Sequence, residues 1–372
     1  MRLDHSTHEV IVVGGGPAGL AAAIAARQAG LDVSVFDCAR PPIDKACGEG
    51  IMPDGLAALA RLGVTIPSAQ ACAFRGIRFL DDSHSVEASF AEGTGYGVRR
   101  VVLHTLLAQH ADALGVKLNW GAHVTGASRD SVEVDGNRIS FRWLVCADGQ
   151  NSLIRRKSGL FAASTVQLRY GFRRHYRVAP WTDFVEVHWA NCGQMYVTPV
   201  ANDEVCVAFI TRDLAIRFDE ALSCFPRLAA RLTDARIAGT TIGAVTASRR
   251  MRRVYNGNVA LIGEAAGSVD AITGEGLSIA FRQASALADA MLRNRMHDYQ
   301  RAHQLITHTP RRIARLLLAL DGREHFRQRV LGALERHHET FEAMLGIHTG
   351  AKSPVTFGLT RAARLGWNLL HG

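Results

Sequence analysis

A thiol and a carboxylate stand two positions apart in Asp44-Lys45-Ala46-Cys47-Gly48-Glu49-Gly50. On a glycine-flanked loop, Cys47 and Glu49 could donate or relay protons. The plainer alternative leaves Cys47 a small packed residue and Glu49 a helix cap or a solvent-facing group. A second kind of chemistry is written in Gly14-Gly15-Gly16-Pro17-Ala18-Gly19, which fits G-x-G-x-x-G. Gly14 permits a tight turn, Gly16 lets the backbone approach a pyrophosphate, and Gly19 lets the following helix pack against the strand. The helix start aims amide hydrogens and the positive end of its dipole at phosphates. Asp37 ends the next strand, where a carboxylate would bind ribose hydroxyls. Glycine-rich turns are common, but here strand, helix and acid all stand in their places.

Two further segments narrow the ligand. Cys146-Ala147-Asp148-Gly149-Gln150-Asn151-Ser152 is a strand end and an Asp-Gly turn, followed by Arg155 and Arg156. Gly263-Glu264-Ala265-Ala266-Gly267, then Thr273-Gly274-Glu275-Gly276-Leu277, is a second glycine-rich strand-to-helix crossing. Asp-Gly by itself is usually only a turn. In this order the three segments resemble the flavoprotein superfamily of p-hydroxybenzoate hydroxylase, the flavin-dependent halogenases and the geranylgeranyl reductases. The resemblance runs from about residue 9 to 295.

The resemblance implies FAD. Gly14, Gly16, Pro17, Ala18 and Gly19, with Asp37 and Arg40, would hold its pyrophosphate and adenosine ribose. Asp148-Gly149 would lie near FAD and is linked in the hydroxylases to NADPH or NADH as electron donor. Gly263, Glu264, Gly274, Glu275, Gly276 and Leu277 would contact the ribityl chain and the flavin edge. Arg100, in Arg100-x-x-Leu103, corresponds to the family's arginine. Two positions depart from the pattern: Glu264 replaces the usual Asp, and Ala271 replaces the usual proline. The Cys47-Gly48-Glu49-Gly50 loop looks like the C-G-E-G loop of the geranylgeranyl reductase-like branch, where it lies near the flavin. That branch also carries Y-x-W-x-F-P along its substrate cavity. Here the matching stretch keeps only Pro199 and has Tyr196 in place of tryptophan, which counts against a long polyprenyl substrate. The halogenase signature W-x-W-x-I-P is absent.

Other candidates are weaker. His188 and Trp189 lie on a strand that could face the substrate, although packing is the commoner fate of such residues. His337-His338 is not spaced for one metal on a helix face. The seven cysteines form no C-x-x-C pair, so neither a metal cage nor a disulfide framework is expected. The net charge of +9 could help hold an anionic cofactor or acidic partner. No recognisable nucleic-acid motif accompanies it. No apolar stretch is long enough to span a bilayer, and the N-terminus does not read as a secretory signal, so a cytoplasmic protein is expected. The tail from Pro354 to Leu370 reads as a helix that docks on the protein body in preference to a membrane surface.

These residues need particular elements to position them. Val10-Ile11-Val12-Val13 reads as a buried parallel strand, 17–29 as a helix with Gly30 at its end, and 32–36 as a second strand. Arg100 to Leu114 has helical spacing, 166–254 is strand-rich with a helix near 218–233, and 276–345 is mostly helical. The expected fold is α/β: a Rossmann-like FAD-binding domain in three pieces (1–73, 99–165, 255–300), an inserted mainly antiparallel β-sheet substrate domain (74–98, 166–254) and a helical C-terminal segment (301–372). The expected function is an NAD(P)H-using, FAD-dependent monooxygenase of a small apolar or aromatic metabolite. A geranylgeranyl reductase-like enzyme acting on a carbon–carbon double bond is the alternative, and a non-catalytic FAD-binding redox sensor the third reading.

Overall fold

The computed structural model describes residues 8–353 of the chain, with the side chains of 165–167 excepted. The expectation for the tail beyond Ser353 lies outside the described residues. At the centre of the first layer are His8–Val13 and its parallel neighbours Asn137–Cys146 and Val33–Asp37. Lys117–Trp120 extends this sheet on one side and Val259–Leu261 on the other, both in parallel register. Val10, Ile11 and Val12 have no solvent exposure, as a strand covered on both faces requires. Helix Pro17–Gln28 follows at once, with proline in its first turn. Its end is Ala29, and Gly30 adopts φ +88°, the left-handed conformation glycine tolerates best. Helices Arg100–Ala113 and Gly276–Leu292 flank it, and the alanines of the first helix allow the close approach.

A larger sheet runs in the order Arg236–Met251, Ala162–Arg177, Glu204–Thr211, Gly193–Ala201, Phe184–Ala190, Gly76–Leu80, Ser85–Ser89. It is antiparallel except where Phe184–Ala190 meets Gly76–Leu80. Phe218–Leu222 and Pro226–Leu232 pack their apolar residues against Met195, Val197 and Val207 of this sheet. The single helix expected over 218–233 is thus two short ones, because Pro226 cannot continue the first and instead starts the second. Segment 74–98 is also divided. Its two central strands join the large sheet, whereas Gly95–Gly97 pairs with Gly50–Ile51 and Cys72–Phe74 in a small sheet of its own. A side chain at Gly97 would fall 1.8 Å from the Pro199 carbonyl oxygen, so the small sheet can press against the large one only with glycine there. Helices Met296–Leu320, Glu324–Arg336 and His338–His348 close the described chain. Among the described residues no helix is long and apolar enough to cross a membrane.

Candidate active site

The glycine turn after the first strand has the geometry its sequence implies. Gly14 sits at φ +107°, and a side chain there would meet the Ala147 carbonyl oxygen at 2.4 Å. One at Gly19 would fall 1.8 Å from the Gly14 carbonyl oxygen, so the helix rests directly on the turn. Gly16 is different: its missing side chain would meet nothing within 4 Å, and the residue borders a cavity of about 690 Å³. Asp37 is fixed at the cavity edge, where Oδ2 accepts the Gly15 N–H at 2.5 Å and Oδ1 the Ala39 N–H at 2.7 Å. His104 donates from Nε2 to the Gly15 carbonyl at 2.9 Å, and burial depresses its pKa, which keeps the ring neutral.

Asp148 and Gly149 line the same cavity. One Asp148 oxygen accepts the Leu153 N–H at 3.0 Å, while Oδ1 is buried with no partner. A buried acceptor without a donor is costly, by about 1–3 kcal/mol, and a ligand hydroxyl or N–H would satisfy it. Gly263, Glu264, Gly274, Glu275, Gly276 and Leu277 border the cavity from the other side. Glu264, half-exposed, is paired with Lys45 Nζ at 2.7 Å, so its extra methylene carries the carboxylate across to the Cys47 loop. The 270–273 turn is braced from behind. Buried Arg169 bonds Asp270 Oδ1 at 2.9 Å, and the same oxygen accepts the Ile272 N–H at 3.0 Å.

In the Cys47 loop, Cys47 and Gly48 border the cavity, and Cys47 Sγ accepts the Glu49 N–H at 3.4 Å. Glu49 is 2% exposed and has φ +60°, an uncommon conformation for a residue with a side chain. Both of its carboxylate oxygens are engaged. Oε1 accepts the Arg100 N–H at 2.9 Å, Oε2 pairs with His175 Nε2 at 2.6 Å, and Arg173 Nε stands 3.9 Å away. Arg173 reaches His175 Nδ1 at 2.9 Å and Asp44 at 2.5 Å. Arginine can only donate, so Nδ1 accepts and Nε2 carries the hydrogen that bonds Glu49. Glu49, His175 and Cys206 are close enough to share a metal ion. With Nε2 protonated and the Cys206 thiol pushed well up by burial and the Glu49 charge, they read instead as a hydrogen-bonded tether.

The substrate candidates separate. Tyr196 lines the cavity, its hydroxyl donating to the Ile272 carbonyl at 3.0 Å. His188 does not reach it. Strand alternation turns Val185 and Val187 toward the cavity and Glu186 and His188 to the other face, where His188 Nε2 lies 3.1 Å from Glu186. Pro199 and Arg40 are also absent from the lining; Pro199 faces Gly97, and Arg40 lies against Gly121. Away from the motif residues the cavity wall turns apolar, with Phe74, Phe79, Val187, Leu317, Phe341 and Leu345. Sequence reasoning missed His104, Arg169, His175 and His348, which carry no local motif and become partners only through distant elements.

Residues 7–295 match the family described as FAD binding domain. The chain belongs to that family. A menaquinone reductase of Mycobacterium tuberculosis is 31% identical over 308 residues, 74% of each chain. Digeranylgeranylglycerophospholipid reductase 2 of Methanopyrus kandleri is 27% identical over 292 residues, covering 72% of this chain and 73% of that one. The fold matches a flavoprotein/dehydrogenase from Cytophaga hutchinsonii with a TM-score of 0.80, at 18% identity and 93% coverage of both chains. The protein is therefore an FAD-dependent oxidoreductase, of a family with both reductase and monooxygenase members. The open cradle at Gly16, the orphaned Asp148 oxygen and the glycines at 274 and 276 fit FAD.

Proposed function

We propose that this protein is an FAD-dependent reductase of a lipophilic substrate bearing a quinone or isoprenoid double bond, with NADPH or NADH as electron source. The observation that carries the reading is the continuity of one cavity from the dinucleotide-motif residues to an apolar wall. Such a wall excludes water from the reacting carbons and suits an alkyl or prenyl chain. Bound FAD would supply the hydride. The protein's part is to orient the double bond and to hold a proton, for which the lining offers Cys47 and Glu275. The 31% identity to a menaquinone reductase supports this reaction class over oxygenation. We place the cofactor with the parallel sheet and the substrate against the large sheet.

Monooxygenation of a small apolar or aromatic metabolite is the second reading, favoured by the Asp148-Gly149 turn at the cavity. One experiment separates the two. The holoprotein is titrated anaerobically with NADPH until the flavin bleaches, and menaquinone is then added without oxygen. Return of the flavin absorbance with formation of a product carrying two more hydrogens supports the reductase. Reoxidation only when air is admitted, with oxygen appearing in an added substrate, supports the monooxygenase.

A further inference from the structure

Two cavity-lining side chains behind the 273–276 loop face each other through atoms that no hydrogen bond satisfies. Glu275 stands at the start of helix Gly276–Leu292, and His348 ends helix His338–His348. His348 Nδ1 lies 3.5 Å from Glu275 Oε2, and their side chains are 8% and 1% exposed. His348 Nε2 meets the Thr273 carbonyl at 3.3 Å. A carbonyl only accepts, so Nε2 carries the hydrogen and Nδ1 turns its lone pair toward Glu275. Neither Nδ1 nor Oε2 has a hydrogen-bond partner.

The charge state of the pair follows from its surroundings. Burial, and then the nearby Asp54 of helix Pro53–Arg61, lift the Glu275 carboxyl well above the usual carboxylate range against the pull of Arg282. Arg282 itself lies 3.6 Å from Asp54, which shares its charge. Burial also takes His348 down to about 4. Both shifts favour the neutral forms, a carboxylic acid against a neutral imidazole over an ion pair. The acid is held in the wall of the cavity that binds the substrate.

We propose that Glu275 is the acid that protonates the substrate in this cavity and that His348 is the relay that restores its proton. The proposal rests on the reductase reading above. In that reaction one carbon of the double bond gains a hydride, the two-electron equivalent that reduced flavin supplies. The π electron pair forms the bond between the other carbon and the Glu275 proton. Glu275 is left as a carboxylate; His348 takes up a solvent proton to become an imidazolium, and its Nδ1 proton passes to Glu275 Oε2, leaving the ring neutral again with its hydrogen on Nε2. NADPH or NADH makes good the electrons.

The test uses the full-length holoprotein and two variants, Glu275→Gln and His348→Phe, each first shown to bind FAD stoichiometrically. Infrared spectra of the resting protein at pH 7 give a readout independent of activity. A protonated-carboxyl band is expected that disappears in Glu275→Gln and shifts in His348→Phe. In anaerobic reoxidation of the NADPH-reduced protein by menaquinone, Glu275→Gln should be about 100-fold slower, the low end for loss of a positioned acid. His348→Phe should be roughly tenfold slower, with its pH profile displaced. Absence of the wild-type band, or reoxidation of Glu275→Gln at the wild-type rate, overturns the proposal. A wild-type protein that menaquinone fails to reoxidise overturns the reductase reading instead, and the infrared band then still decides whether Glu275 holds a proton against His348.

Discussion

Replacing Glu49 by alanine tests whether its carboxylate holds the Cys47 loop in place. The substitution removes the acceptor for the Arg100 N–H and for His175 Nε2, and one of the two carboxylates near Arg173. Breaking a buried charge pair costs about 3–5 kcal/mol, and each orphaned neutral donor about 1–3 kcal/mol, in a sum that is not additive. Asp44 remains on Arg173, which keeps the expected loss near 4 kcal/mol. The strain of φ +60° is common to both residues and cancels. For 372 residues the unfolding entropy is roughly 0.8 kcal/mol/K, so the melting temperature should fall by about 5 °C. Glu49→Gln keeps one acceptor and should lose about half as much. The assay is thermal melting of the holoprotein, followed by circular dichroism and by release of flavin fluorescence. Should Glu49→Ala melt within about 1 °C of the parent with full flavin content, the tether is not what orders the loop. Glu49 would then be free for the proton chemistry its sequence position first implied.

Three further outcomes are expected. Gly16→Ala should fold but purify without FAD, because its new methyl group enters the cavity where nothing of the protein stands within 4 Å; stoichiometric flavin in that variant would refute the cofactor placement. Cys47→Ser should keep FAD and change turnover by less than about threefold, under 1 kcal/mol in the barrier, since Glu275 is assigned the acid role. A tenfold fall would move that role to the thiol. Acid should destabilise the protein through His303, whose pKa burial and the Arg311 charge lower to about 4. The unfolded ring titrates near 6.5, so between about pH 6.5 and 4 the unfolded state binds more protons and stability falls as pH falls, by up to about 3 kcal/mol. Above that window His303 contributes no pH dependence. His348 acts in the same sense and Glu275, with its raised pKa, in the opposite one. Urea midpoints at pH 7.5 and pH 5 should therefore lie closer together in His303→Gln than in the parent, and equal gaps would count against the assignment.

The sequence by itself determined the dinucleotide half of this protein. A turn of this kind recognises phosphate through its backbone, so the requirement is for glycine at fixed offsets between a strand and a helix. Gly14, Gly16 and Gly19 announce that geometry in six consecutive residues. The same holds for Asp148-Gly149 and for the 263–277 crossing, where local turns place their own groups. What the tertiary structure alone decided is which side chains complete the site. His188 looked like a lining residue, yet strand parity turns it to the far face. Glu49 looked like a free acid, yet Arg100, Arg173 and His175 saturate it from two separate elements. His348 lies 73 positions beyond Glu275 and had no motif at all. Contacts of that kind depend on how helices and sheets stack, and burial, which exists only after stacking, sets whether a carboxyl there keeps its proton.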